Sequence, residues 1–284
     1  MSREENEEDD IVCLDESFFI NDDYQITDFT FGSHVLQLYC LQSSSTDFDL
    51  TGQLVWPGAV LMNDYLTQNA NMLQGCSVIE LGSGVGITGV LCSRFCRGVV
   101  MTDHNDEVLK ILKKNIKLQE SSDDSMCCTE LKAEKLEWGS SDQLNCILQE
   151  HPEGFDLVLG ADIYILQANV PLLFDTVERL LRDRDQKKCK FILAYVSRAK
   201  VCPYLTAEVL ILRTVDMFLA TVVIFISFLM HFCSVCLNGH SLCSMDAMVI
   251  NEAIRHGLQI NEVSGTRRII KNLEGVIFEI TTNH

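Results

Sequence analysis

Between Tyr24 and Gln42 apolar and polar residues alternate, with one interruption at Gly32-Ser33. A period of two around a short glycine turn predicts a β-hairpin. The period changes after Trp56. Val60, Leu61, Tyr65 and Leu66 then share one side of a helix whose first turn suits Pro57. From Cys76 onward, apolar runs and helical stretches take turns. Ser77–Leu81 reads as a strand, and the glycines after it open a helix over 87–95. A strand over 99–102 ends at Asp103. Residues 105–119 form an amphipathic helix, with Val108, Ile111, Leu112 and Ile116 on its apolar side. A strand near 129–133 leads to LEWG, 136–139. Strands over 155–160 and 191–196 flank a helix over 170–181. SMDAMVINEAIRHG, 244–257, predicts a helix ending at Gly257, then a strand, and GVIFEIT, 275–281, a last strand. Strands alternating with helices predict an α/β domain built on a parallel, doubly wound sheet.

Residues 201–243 break the rhythm. Within them, 217–237 carry no full charge and match the ~20 apolar residues that span a bilayer. Three readings stand: a membrane helix, a buried helix of an enlarged domain, or a segment foreign to the fold, such as an intron retained in frame. Topology favours the last. Without 201–243, FILAYVSRAK runs directly into SMDAMV, an ordinary short strand-to-helix connection. The expected organisation is an acidic, disordered tail over 1–23 and one domain over 24–284, interrupted by 201–243.

Charge adds little about the fold and more about partners. The net charge is −18, and ten acids against Arg3 alone crowd residues 1–23. Without a Lys/Arg cluster, the chain is a poor match for nucleic acid, whose phosphates need cations. Thirteen cysteines are an odd number in a long chain, and the N-terminus has no cleavable signal pattern, so reduced thiols and a cytoplasmic location are expected. Cys233 and Cys236 form the one C-x-x-C pair, but no second pair or histidine stands at zinc spacing, and no metal site is expected.

The chemistry is concentrated in VIELGSGVGITG, 78–89. From Gly84 it spells G-x-G-x-x-G, a dinucleotide fingerprint. From Glu80 it spells E-x-G-x-G-x-G, a loop for S-adenosylmethionine. Either cofactor needs glycines for a tight turn, a helix N-terminus beyond them, and a carboxylate at the end of the next strand for ribose hydroxyls. Asp103 supplies that carboxylate 19 residues after Gly84. The neighbours favour S-adenosylmethionine. Glu80, at the tip of its strand, suits the ammonium of a methionine, and Trp138 of LEWG suits an adenine face. Trp56 stands just before the first predicted helix.

LVWPGAVLMNDYL, VIELGSGVGITG, MTDHNDEVLKILKKNI, LEWG and FDLVLGADIYILQANVPLL occur in this order. Together they resemble the protein-lysine methyltransferases of methyltransferase family 16, over about 24–200 and again over 244–282. The resemblance implies the seven-stranded, Rossmann-like class I methyltransferase fold and S-adenosyl-L-methionine as cofactor. The implied partner is a protein bearing the target lysine; the alternatives are a methyltransferase for a non-lysine or small-molecule acceptor, or an inactive cofactor-binding or membrane-tethered interaction protein. It implies cofactor contacts from Trp56, Gly82, Ser83, Gly84, Asp103, Trp138 and Ala161, to which the strand-tip argument adds Glu80. Asp162 and Tyr164 are the expected catalytic residues, with Asp162 orienting the incoming amine; the alternative for Asp162 is capping of a neighbouring element. The family's tyrosine falls where Ile165 stands, and Tyr164 comes one place early, which bears on lysine as acceptor more than on methyl transfer. His104 and Arg198 are further candidates on the rim. A monomer is expected, with membrane contact only if 217–237 is a true span. Sequencing the transcript is expected to find a spliced message lacking the 43 codons of 201–243; finding only the longer message removes the foreign-segment reading.

Overall fold

The computed structural model describes residues 24–42, 52–121, 130–163, 167–183, 189–197, 244–270 and 272–283. The acidic stretch 1–23, both cysteine pairs at 127–128 and 233–236, and the whole of 201–243 lie outside the described residues. Among those described, no helix is long and apolar enough to cross a membrane, and Cys40, Cys76, Cys92, Cys96, Cys146 and Cys189 are free thiols.

β1 (Gln25–Phe31) and β2 (His34–Cys40) form the hairpin that the alternation predicts. Its turn places Gly32 at a left-handed φ of 58°, as two-residue hairpin loops require. Phe31, Leu36 and Leu38 point inward and are buried, whereas Ile26 and Val35 face out. The hairpin is a sheet of its own.

The main sheet runs β5 (Glu130–Lys135), β4 (Gly98–Asp103), β3 (Ser77–Leu81), β6 (Leu157–Ala161), β7 (Lys190–Val196), β10 (Leu273–Thr282), β8 (Leu258–Glu262). The first five are mutually parallel and β10 is antiparallel. Central strands such as SVIEL are buried along their whole length, because helices cover both faces. A short β9 (Arg268–Ile270), not legible as a strand in the sequence, continues the edge that β8 begins on β10. Between them Thr266 Oγ1 accepts the Ile277 amide, filling the gap in the ladder.

Alternate strand residues feed two cores. On one side Ile79, Val158, Phe191, Leu193 and Phe278 meet α4 (Ser141–Glu150), α5 (Val170–Arg182) and α6 (Ser244–Arg255). On the other, Val78, Met101, Leu159, Ile192 and Ile277 meet the hairpin, α1 (Pro57–Gln68), α2 (Ile87–Cys92) and α3 (Asp106–Glu120). At the β10 edge, Arg267 pairs with Glu262, Glu274 and the buried Asp246, tying α6 to β8 and β10.

Three helices differ from the sequence reading. α1 buries Gly58, Leu61, Met62 and Leu66, while Val60 and Tyr65 are half-buried. Packing on β7, β10 and α2 rotates its inner face toward the small residues. α2 stops at Cys92 and continues as turns to Phe95. α4 was missed because only Leu144 and Ile147 are buried in it, too few for a clear period. α3 follows its pattern: the Asn105 side chain caps it by accepting the amides of Glu107 and Val108.

Within α3 the sequence gives no signal for Asn115, which is fully buried. Its Oδ1 accepts the Tyr39 amide at 2.7 Å, and its Nδ2 donates to the carbonyls of Tyr39 and Val85 at 3.0 and 2.9 Å. One side chain thus fastens β2 to the loop after β3. Asn115→Ala should cost about 3 kcal/mol in chemical denaturation, since it strands one buried and two part-buried backbone groups; a loss below about 1 kcal/mol would show that they find other partners.

Candidate active site

In a doubly wound sheet the crevice lies at the carboxyl ends of the strands, where successive connections depart to opposite sides. Here that point is between β3 and β6. The chain leaves β3 through Gly82-Ser83-Gly84-Val85-Gly86 and enters α2 at Ile87. Gly84 adopts a φ of 55°, and a Cβ on it would fall 2.6 Å from the Gly52 carbonyl. The close approach this glycine permits is therefore to the protein's own segment before α1.

A loop almost without side chains must have its backbone groups paired by others. The Ser83 amide donates to Thr102 O and the Gly86 amide to Ser83 O, each at 2.8 Å. The Gly84 amide donates to Asp103 Oδ2 at 3.2 Å. Asp103, at the end of β4, is buried. Its Oδ1 accepts the Asn105 amide and lies 3.4 Å from His104 Nδ1.

Glu80 is 3% exposed, and its Oε2 accepts the Gly89 amide at 3.0 Å. The carboxyl expected to meet an ammonium thus also braces α2. Burial pushes its pKa up to about 7, against the opposing effect of the Gly89 amide and the nearby Ser83 and Thr88 hydroxyls. Nearby, a hydrogen bond with Cys96 and burial push the Cys92 thiol up, so it stays protonated and poorly nucleophilic.

Trp56 precedes α1 in extended conformation. Trp138 sits in a turn held by the Glu137 amide on Gln143 Oε1 at 2.7 Å and the Gly139 amide on Thr176 Oγ1 at 2.9 Å. Asp162 follows β6, and its two oxygens accept the amides of Gly58 at 2.6 Å and Val196 at 2.8 Å. Trp56, Glu80, Gly82, Ser83, Gly84, Asp103, Trp138, Ala161 and Asp162 all line one cavity, as does His104. Tyr164, Ile165 and Arg198 lie outside the described residues.

The same cavity is lined by groups that sequence reasoning missed: Leu54, Val55, Ile163, Asn169 and Leu172. Leu172 is 43% exposed on the rim. An apolar residue exposed on the first turn of a helix soon after Asp162 was the available signal, but helical periodicity alone assigns it to packing.

A family profile described as lysine methyltransferase matches residues 38–203, more than half of the chain. The chain belongs to the lysine methyltransferase family. It is 30% identical over 154 residues to the protein N-lysine methyltransferase METTL21A of Mus musculus, covering 54% of this chain and 64% of that protein. It is 33% identical over 128 residues to EEF1A lysine methyltransferase 3 of Xenopus tropicalis, covering 44% of this chain and 51% of that protein. The chain thus spans less than two thirds of the length of these relatives. Among solved structures it resembles the T. thermophilus 16S rRNA N2 G1207 methyltransferase RsmC, with a TM-score of 0.51 and 12% identity over 92% of this chain and 51% of that one. That likeness places the fold among the class I methyltransferases.

Glu80 makes folding of the ligand-free protein depend on pH. Between about 4.5 and 7 the folded protein keeps on Glu80 a proton that the unfolded chain has released. Its favourable contribution is complete below the lower value and is lost as pH rises through the upper one. The stability of Glu80→Gln relative to the parent should therefore rise by about 2 kcal/mol between pH 5 and 9 in denaturant titrations. A constant difference would mean that Glu80 is ionised throughout.

Proposed function

We propose that this protein is an S-adenosyl-L-methionine-dependent methyltransferase acting on a lysine side chain of a protein substrate. The observation that carries the reading is the meeting of Trp56, Asp103 and Trp138, from three separate elements, on one cavity behind the glycine loop. The donor set fits the group. A buried carboxylate at the end of β4 suits ribose hydroxyls, an indole suits an adenine face, and Glu80 offers negative charge to an ammonium. Gly82, Ser83 and Gly84 form the turn beneath the ligand, and Ala161 and Trp56 complete its walls. Family membership supports lysine as the acceptor, as do the activities that METTL21A and EEF1A lysine methyltransferase 3 are named for.

When bound, the cofactor supplies an activated methyl group on a cationic sulfur. What remains for the chain is alignment, which can supply on the order of 7–11 kcal/mol. It must also receive a neutral amine. Releasing the proton of a lysine with a pKa of ~10.4 costs roughly 4–5 kcal/mol at neutral pH. The half-apolar wall of Trp56, Ile163 and Leu172 lowers that cost by desolvating the ammonium. The catalytic unit in this reading comprises 24–200 with 244–282. It is monomeric and cytoplasmic, and it takes a protein rather than a nucleic acid.

Calorimetry is expected to show binding of S-adenosylmethionine and none of NAD, and Asp103→Ala should weaken that binding by about 100-fold. Labelled methyl groups added with the protein to a cell lysate should appear on lysine in a protein band. Binding of NAD, or parental affinity in Asp103→Ala, contradicts the assignment.

A further inference from the structure

α1 begins in an unusual way. Its N-cap residue is Trp56, which makes no side-chain cap, and its first residue, Pro57, has no amide hydrogen. The first free amide of the helix is that of Gly58, and a buried helix N-terminus must find an acceptor for it. The acceptor comes from another element 104 residues away: Asp162 Oδ2, at 2.6 Å. The same carboxylate accepts the Val196 amide at the end of β7 through Oδ1, at 2.8 Å. Asp162 itself is held at a φ of 52°, a left-handed conformation uncommon outside glycine. Its own amide donates to Ala194 O at 2.9 Å. Gly58 is shaped for this contact, because a Cβ there would fall within 2.8 Å of Asp162 Oδ2.

We propose that Asp162 is a positioning residue that caps α1 from a distance, and that this leaves the N-cap position to Trp56 as a wall of the cavity. A carboxylate at the positive end of the helix replaces the Ser, Thr, Asp or Asn that ordinarily stands there. The residue spared from capping is one of the two tryptophans of the chain. Each oxygen already holds one amide, so rotating the carboxylate away would release the Gly58 amide and uncap α1, or free the Val196 amide at the end of β7. Its part in the methyl transfer proposed above, on which this inference rests, is therefore to hold Trp56 and the end of β7 in place. Of the two expected roles for Asp162, the proposal takes capping rather than orienting the amine.

The test uses the full chain, S-adenosylhomocysteine as probe, and iodide quenching of Trp56 fluorescence in a Trp138→Phe background without ligand. Asp162→Asn removes one acceptor, whereas Gly58→Ala keeps the carboxylate but blocks its approach. Each should weaken S-adenosylhomocysteine binding by about tenfold or more and raise quenching of Trp56 about twofold. Combining them should do no more than the larger single change, because both break one contact. Leu180→Ala, at the far end of α5, should lower the melting temperature and leave affinity and quenching at parental values. Parental values in either Asp162→Asn or Gly58→Ala, or additive effects, overturn the proposal. If Asp162→Asn does not fold, Gly58→Ala decides. If the parent binds no S-adenosylhomocysteine, the cofactor reading fails and the quenching results alone judge the clamp.

Discussion

The organising constraint of this molecule is that a buried loop of glycines must have most of its amides and carbonyls paired by groups outside itself. The loop after β3 has few side chains of its own to do so. Asp103 takes the Gly84 amide, Asn115 gives a hydrogen to the Val85 carbonyl, and Glu80 takes the Gly89 amide of α2, into which the loop runs. These groups come from β4, from β3 and from α3. The position of the loop is thus a property of the sheet and its neighbours, and the sheet holds it where two halves of the fold diverge. The hairpin shares in this through Asn115, which treats Tyr39 as a strand would.

The same arrangement explains the electrostatics of the cavity. Glu80 and Asp103 are buried acids that each accept backbone amides, and neither pairs with a lysine or arginine among the described residues. Amides hold a carboxylate in place without neutralising it. Burial keeps the Glu80 pKa raised, and a cation arriving in the cavity would favour its charged form, a role that no lysine or arginine among the described residues takes. A cofactor with a sulfonium and an ammonium matches that surface better than one carrying two phosphates.

Asp162 shows how one residue type can be read two ways. In the sequence it is an acid at a strand end, the usual place for chemistry in such sheets. In the structure both oxygens are engaged by amides of α1 and β7. Its neighbour Gly58 reads as a poor helix residue until the carboxylate pressed against it is seen. Trp56 is similar: an indole is an unexpected N-cap, and it stands there because the capping oxygen arrives from elsewhere.

The alternation of strands and helices, the glycine turn, Asp103 and the two indoles were legible along the chain, because each rests on spacing within some 20 residues. Local period selects strand or helix, and a turn announces itself by glycine. The order of the strands, the inner face of α1, the shallow α4 and the split edge of β8 and β9 were decided by packing. So were the partners of Asn115 and Asp162, among them Tyr39, 76 residues from Asn115, and Gly58, 104 from Asp162. No local pattern encodes a hydrogen bond across that separation. Only the folded sheet, by bringing the ends of β3, β6 and β7 beside the start of α1, determines which donor a buried oxygen will find.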